Sequence, residues 1–287
     1  MRTRERTLGR AIVVALPAWG LSRVVVVGTL LFARLTVSSV RPHNGAALAR
    51  THQGLLGWDA GWYQSIAAHG YAASGQESLR FFPVFPMLAR GLAWIPGLGT
   101  GTAVVIVANL SALLGMAVLV VLVQRETGDA ELARRTVWLL ALAPPAYTLV
   151  LGYAEGTLLL CTTVAFLALR SRRWWWAAAA GLVAGAVRPI GLLLIVPALI
   201  EAWSARHDGR SFRQLVARVA AVVAPIAGTA GFLVWVDTNF GDAFLPSRSS
   251  SKAATAGRWP IPSPRWGTMW PRCSTGTIWV AHCTSPG

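Results

Sequence analysis

Long apolar runs separated by arginine-rich breaks constrain this chain more than any other feature. Ala11–Ala33 extends for 23 residues, and Thr102–Val123 and Leu215–Val236 for 22 each. A helix rises 1.5 Å per residue, so about 20 apolar residues cross a bilayer. Of the 287 residues, 54% are hydrophobic and 13% are charged, and mean hydropathy is +0.52. Soluble domains carry about a quarter charged residues, which excludes a cytosolic enzyme. A disordered basic chain is excluded too, because it would be poor in apolar residues. The net charge is +15, from 26 Lys+Arg against 11 Asp+Glu. Such a balance suits nucleic acid only when it forms a basic face on a soluble fold. Here the arginines lie between apolar runs, so no nucleic-acid partner is expected. The expected fold class is all-α: a polytopic transmembrane helical bundle with membrane lipids as its surroundings.

The first run follows MRTRERTLGR, is too long for a signal-peptide core, and has no small-residue cleavage site after it. It reads as a signal anchor with a cytoplasmic N-terminus. Further apolar segments are 136–152, which contains Pro144–Pro145, 156–169, and 174–200, interrupted at Arg188–Pro189. The last reads as two short helices joined by a turn. Breaks 1–10, 124–135, 170–173 and 201–214 then fall on one side and hold 13 arginines in 40 residues; the 43-residue loop 38–80 opposite holds three. That bias makes the arginine-rich side cytoplasmic. The expectation is about seven membrane segments, with proline-broken 81–97 along the surface. Cys161, Cys273 and Cys283 form no C-x-x-C pattern, so neither a zinc site nor a disulfide framework is expected.

On the outer side the chain collects Asp59, Glu77, Glu155, Arg188, Asp237 and Asp242. Polar groups beside apolar spans are functional candidates. GWDAGWYQSIAAHGY, 57–71, reads as an amphipathic helix in the outer loop. Trp58, Trp62 and Ile66 share one face at i, i+4 and i+8, facing the membrane interface, and Asp59 and Tyr63 share the adjacent one. Asp59 fits either a solvated or capping residue or a carboxylate held where a lipid-linked substrate would arrive. Glu155, in GYAEG, fits either a cap for the helix starting near Gly156 or a site acid. Arg188, in AVRPIG, could reach lipid headgroups or a substrate phosphate. Arg23 lies mid-span and requires a partner inside the bundle or a wet cavity. NFGDAF, 239–244, reads as a turn. P-loop, G-x-G-x-x-G, H-E-x-x-H and G-x-S-x-G motifs are absent.

The ordered motifs WDAGWYQSIAAHGY at 58–71, FFPVFP at 81–86, GYAEG at 152–156, VRPIG at 187–191 and NFGDAF at 239–244 resemble the PIG-V family of mannosyltransferases, its bacterial members most closely. The resemblance covers roughly residues 8–246. It implies the GT-C membrane architecture, an active face outside a bacterial plasma membrane, and a polyprenyl-phosphate-mannose donor. Eukaryotic members act in glycosylphosphatidylinositol-anchor biosynthesis. Asp59 matches the acid expected to be the catalytic base. Trp58, Tyr63, Glu155 and Arg188 are the expected substrate-binding residues. Serine of the family's acidic motif is Ala154 here.

The implied reaction is inverting transfer of mannose to a lipid or glycolipid acceptor. Asp59 takes the acceptor proton and Arg188 balances charge on the departing phosphate. No metal site and no cofactor are required, although a divalent ion between carboxylates is compatible. The alternatives from other classes are a transporter or flippase of lipid-linked sugars and a noncatalytic membrane scaffold. The pattern departs after about Leu245, so activity is expected of an intact parent and left open for this shortened chain. Residues 247–287, with five basic and no acidic residues, read as an anomalous, disordered tail, frameshifted or otherwise abnormal. No function is assigned to that tail, which includes Cys273, His282 and Cys283.

Overall fold

The computed structural model describes residues 2–40, 53–206 and 211–248. It is 85% helical, and the described residues contain no strand. In chain order the longer helices are α1 (Arg2–Val40), α2 (Asp59–His69), α3 (Val84–Leu92), α4 (Thr100–Thr127), α5 (Ala130–Leu142), α6 (Glu155–Arg170), α7 (Trp174–Val187), α8 (Ile195–Ser204) and α9 (Phe212–Phe240). The tail expected over 247–287 lies outside the described residues beyond Arg248, as do Cys273, His282 and Cys283.

Among the described residues, three helices are long and apolar enough to cross a membrane: α1 over Leu8–Val37, α4 and α9. About seven membrane segments are expected from the sequence; the other apolar helices are shorter. Helices α5 to α8 have 13, 16, 14 and 10 residues. At 1.5 Å per residue they reach roughly 15–24 Å, short of a hydrocarbon core about 30 Å thick. Proline explains two of these stops, because it has no N–H to donate and displaces the residue before it from helical geometry. Pro144 and Pro145 follow α5 with a short 3-10 segment, Pro144–Leu149. Pro189 follows α7, leaving Arg188 extended (φ −156°, ψ 148°) before a second 3-10 segment, Pro189–Leu194. The expected division of 174–200 at Arg188–Pro189 is therefore present.

Small residues bring the helices together. A Cβ on Gly185 would stand 2.2 Å from the Pro225 carbonyl oxygen, and one on Gly228 would stand 2.0 Å from that of Leu182. Helices α7 and α9 thus meet backbone to backbone, and the Thr229 hydroxyl donates across the seam to the Gly185 carbonyl at 3.0 Å. Gly156 of α6 approaches α4 in the same way, 2.4 Å from the Ala108 oxygen to its would-be Cβ.

Arg23 has its partners inside the bundle. Its Nε donates to Asn109 Oδ1 (2.9 Å), and Nη2 donates to the Leu149 carbonyl (2.6 Å). Nη1 donates to the Trp19 carbonyl and the Ser22 hydroxyl. Asn109 donates in turn to the Val105 and Val150 carbonyls. The charge mid-way along α1 thereby ties that helix to α4 and to the Pro144–Leu149 segment.

The arginine-bearing breaks meet at one end of the bundle. Arg125 donates to Ser171, and Arg170 pairs with Glu126 (2.6 Å) and Glu201 (2.8 Å). The opposite end gathers the starts of α4 and α6, the ends of α7 and α9, and the short helices α2 and α3. There α2 departs from expectation. The helix begins at Asp59, and Trp58 precedes it with a positive φ of 54°, off the Trp62–Ile66 face. Trp62, Tyr63 and Ile66 are buried in protein instead of facing lipid. Phe81, Phe82 and Phe85 return over them: Tyr63 meets Phe81 and Phe85 edge-on at 4.9 and 4.8 Å, and Phe82 packs on Phe232 of α9 at 4.6 Å. The segment 81–97 is correspondingly half core and half surface, with Leu88, Trp94 and Ile95 exposed. NFGDAF is the turn it was expected to be: Gly241 closes α9 at φ 77°, and Asp242 accepts from the Phe244 amide at 2.8 Å.

Candidate functional site

Asp59 sits at the first position of α2, and each end of that helix is clamped. At its C-terminal end Arg90 of α3 donates to the carbonyls of Ala67 (2.8 Å) and Ile66 (3.1 Å), satisfying acceptors a helix end leaves open. In front of α2, the Gly152 amide donates to the Leu55 carbonyl at 3.0 Å. A Cβ on Gly152 would lie 2.6 Å from Val104 and 3.3 Å from Ala60, so a side chain there would part the loop from α2 and α4. This close approach sets Tyr153 near Asp59. The Tyr153 hydroxyl lies within electrostatic reach of Asp59.

Glu155 opens α6 and Arg188 ends α7, and the two form an ion pair. Glu155 is the first helical residue, and the α6 N-cap, Ala154, makes no side-chain cap. Its carboxylate therefore reaches across to α7, and the capping role considered for it is not the one observed. One oxygen faces Arg188; the other, Oε2, is buried with no hydrogen-bond partner, as is Glu77 Oε2. A buried oxygen lacking a partner costs free energy unless something else supplies a donor.

Asp59 lies within electrostatic reach of both Arg80 and Arg188. Burial pushes its carboxyl above the ordinary value, and the two guanidiniums oppose that shift without cancelling it. Burial also raises the Tyr63 and Tyr153 hydroxyls, so both stay protonated hydrogen-bond donors at neutral pH. Arg80 stacks over Phe81 (4.9 Å) and Trp62 (5.4 Å), which fixes its guanidinium at the mouth of the α2–α3 unit.

The structure thus gathers four of the expected residues, Asp59, Tyr63, Glu155 and Arg188. Trp58 stands apart. It is 59% exposed and closes one end of a cleft of about 410 Å³ between α1 and the Pro144–Leu149 segment. The lining is mostly apolar, including Val25, Leu30, Leu142 and Leu151; Asp59 does not line it. Sequence reading missed Arg80 and Tyr153. Arg80 had only its place directly before FFPVFP as a signal, and Tyr153 its place within GYAEG. Among the described residues no three His, Cys, Asp or Glu side chains are grouped to hold a metal ion.

Compared with known proteins, the chain matches no family model, no curated protein and no solved structure.

Proposed function

We propose that this chain is built as a glycosyltransferase of the GT-C kind, moving mannose from a polyprenyl phosphate to a lipid or glycolipid hydroxyl. The observation that carries the reading is a half-buried carboxylate, Asp59, flanked by Arg80 and Arg188 next to an apolar cleft. The order of the sequence motifs supports the same reaction class and the choice of sugar.

Asp59, held above the ordinary carboxylate range, is a stronger base than a free aspartate and accepts the acceptor's proton as the new glycosidic oxygen bond forms. The bond from the anomeric carbon to phosphate oxygen breaks on the opposite face, inverting that carbon. Arg188 and Arg80 offer donors to the departing phosphate as its charge grows. Glu155 and the tyrosine hydroxyls orient the sugar, and Trp58 guides the prenyl chain. The arginine-rich end faces the cytoplasm of a bacterial plasma membrane, and the site faces out. Membranes containing the chain, incubated with radiolabelled polyprenyl-phosphate mannose, should yield a labelled lipid product. Net movement of the donor across proteoliposomes without sugar transfer would replace this reading with a flippase.

A further inference from the structure

The arginine-rich end carries a second concavity that the transfer chemistry does not use. A groove of about 580 Å³ opens between the starts of α7 and α9. Arg172, Arg173 and Arg213 line it together with Ser211 and Gln214, and among the described residues no acid does. The acids described at this end are engaged elsewhere: Glu126 and Glu201 with Arg170, and Glu131 with Arg134 and Arg135. Arg172 is steadied at the rim, its guanidinium 5.8 Å from the Trp174 ring centroid and its Nη1 donating to the Glu201 carbonyl at 3.1 Å. No side chain caps the first turn of α7, which adds its open amides to the arginine donors.

The rim of the same groove is apolar and outward-facing. Trp175 and Trp176 are 52% and 66% exposed, and Phe212 and Leu215 continue the exposed apolar surface on α9. Indole rings at the end of an apolar helix settle at headgroup depth. A cationic hollow bordered by such rings matches a molecule with an anionic head and apolar tails. A dissolved anion would use the arginines and gain nothing from the rim.

We propose that this groove binds the phosphate of an anionic membrane lipid, with Arg173 and Arg213 as its principal donors. Arginine suits the task because its planar fork reaches two phosphate oxygens at once. The proposal is independent of the mannosyl-transfer reading, since it uses the other end of the bundle.

The test uses the full chain in neutral-detergent micelles, with bound lipid counted by native mass spectrometry. Dioctanoyl phosphatidylglycerol, dioctanoyl phosphatidylcholine and inorganic phosphate are offered at equal concentration. One phosphatidylglycerol should be retained in roughly tenfold preference to phosphatidylcholine, the scale of one charge-assisted hydrogen bond. The preference should fall as salt rises. R173A/R213A should lower phosphatidylglycerol retention to the phosphatidylcholine level, and R173K/R213K should keep part of it. Equal retention of the two lipids by the unmodified chain, or an unchanged preference in R173A/R213A, overturns the proposal. Displacement of the lipid by inorganic phosphate overturns it as well, by making the site one for a free anion. Should the alanine pair fail to fold, the lipid preference and salt dependence of the unmodified chain still decide the matter.

Discussion

Arg170 is shared by Glu126 and Glu201 at one end of the bundle, and Glu131 by Arg134 and Arg135; at the other end Arg188 holds one oxygen of Glu155 and leaves its second oxygen buried without a donor. The first set, Glu201 excepted, is well exposed, and in solvent an ion pair contributes little because water already solvates both partners. The second set is half-buried, and Asp59 beside it is held partly desolvated against the pull of two arginines. The same residue types therefore do different things. One end uses charge to face water, while the other keeps charge and missing donors where a ligand could supply what is lacking. Polar groups left short in this way destabilise the free protein, and binding sites are where such a cost is retained.

Asp59→Asn separates the two ends most sharply. Label transfer should fall by roughly 10²–10⁴-fold, the usual worth of a positioned base. Stability should not fall with it. A buried carboxyl whose value is raised on folding loses stability as pH climbs from about 3.9, its unfolded value, through the folded one. At neutral pH the neutral amide should therefore melt at the same temperature or higher in detergent. Loss of both transfer and fold would make Asp59 structural.

Arg188→Ala comes next. It strands Glu155, so stability should drop by about 1–2 kcal/mol, less than for a fully buried pair because both side chains are partly exposed. Donor use should weaken more than acceptor use. Adding Glu155→Gln should recover the stability and not the transfer; recovery of both would reduce the pair to a strut. The pH profile gives a smaller effect. The acid limb of transfer should lie above the ordinary aspartate range, and Arg80→Ala should move it higher still, because Arg80 lowers the Asp59 value. A limb that shifts down in R80A contradicts that electrostatic link. The smallest effect is expected for Arg170→Ala at the solvated end: within about 1 kcal/mol in melting, erased by added salt, with transfer unchanged. A large loss there would end the contrast between the two regions.

Several parts of this arrangement were legible in the residues. The break at Arg188–Pro189 follows from proline's missing donor, and gathering the arginine-rich breaks at one end follows from the alternation of apolar runs. Other parts depend on packing that periodicity does not encode. Trp62 and Ile66 do share a helix face, but an apolar face suits lipid and protein equally, and only the return of Phe81 and Phe85 decides for protein. Trp58 leaves that face because its backbone turns to positive φ, which a spacing rule does not register. Arg80 is 21 residues from Asp59 in a loop without a repeat, so nothing local linked them. Arg23 plainly needed partners, yet they come from α4 and a 3-10 turn more than 80 positions away.

The seam at Gly185 has a reach beyond its own helix pair. Arg188 follows that glycine by three residues, less than one turn of α7, and hangs from a joint in which two backbones already touch. Slack is missing there, so even a single added methyl has to displace α7 bodily, and Arg188 moves with it. A change that alters no charge would in this way shift the Arg188–Glu155 pair from a distance.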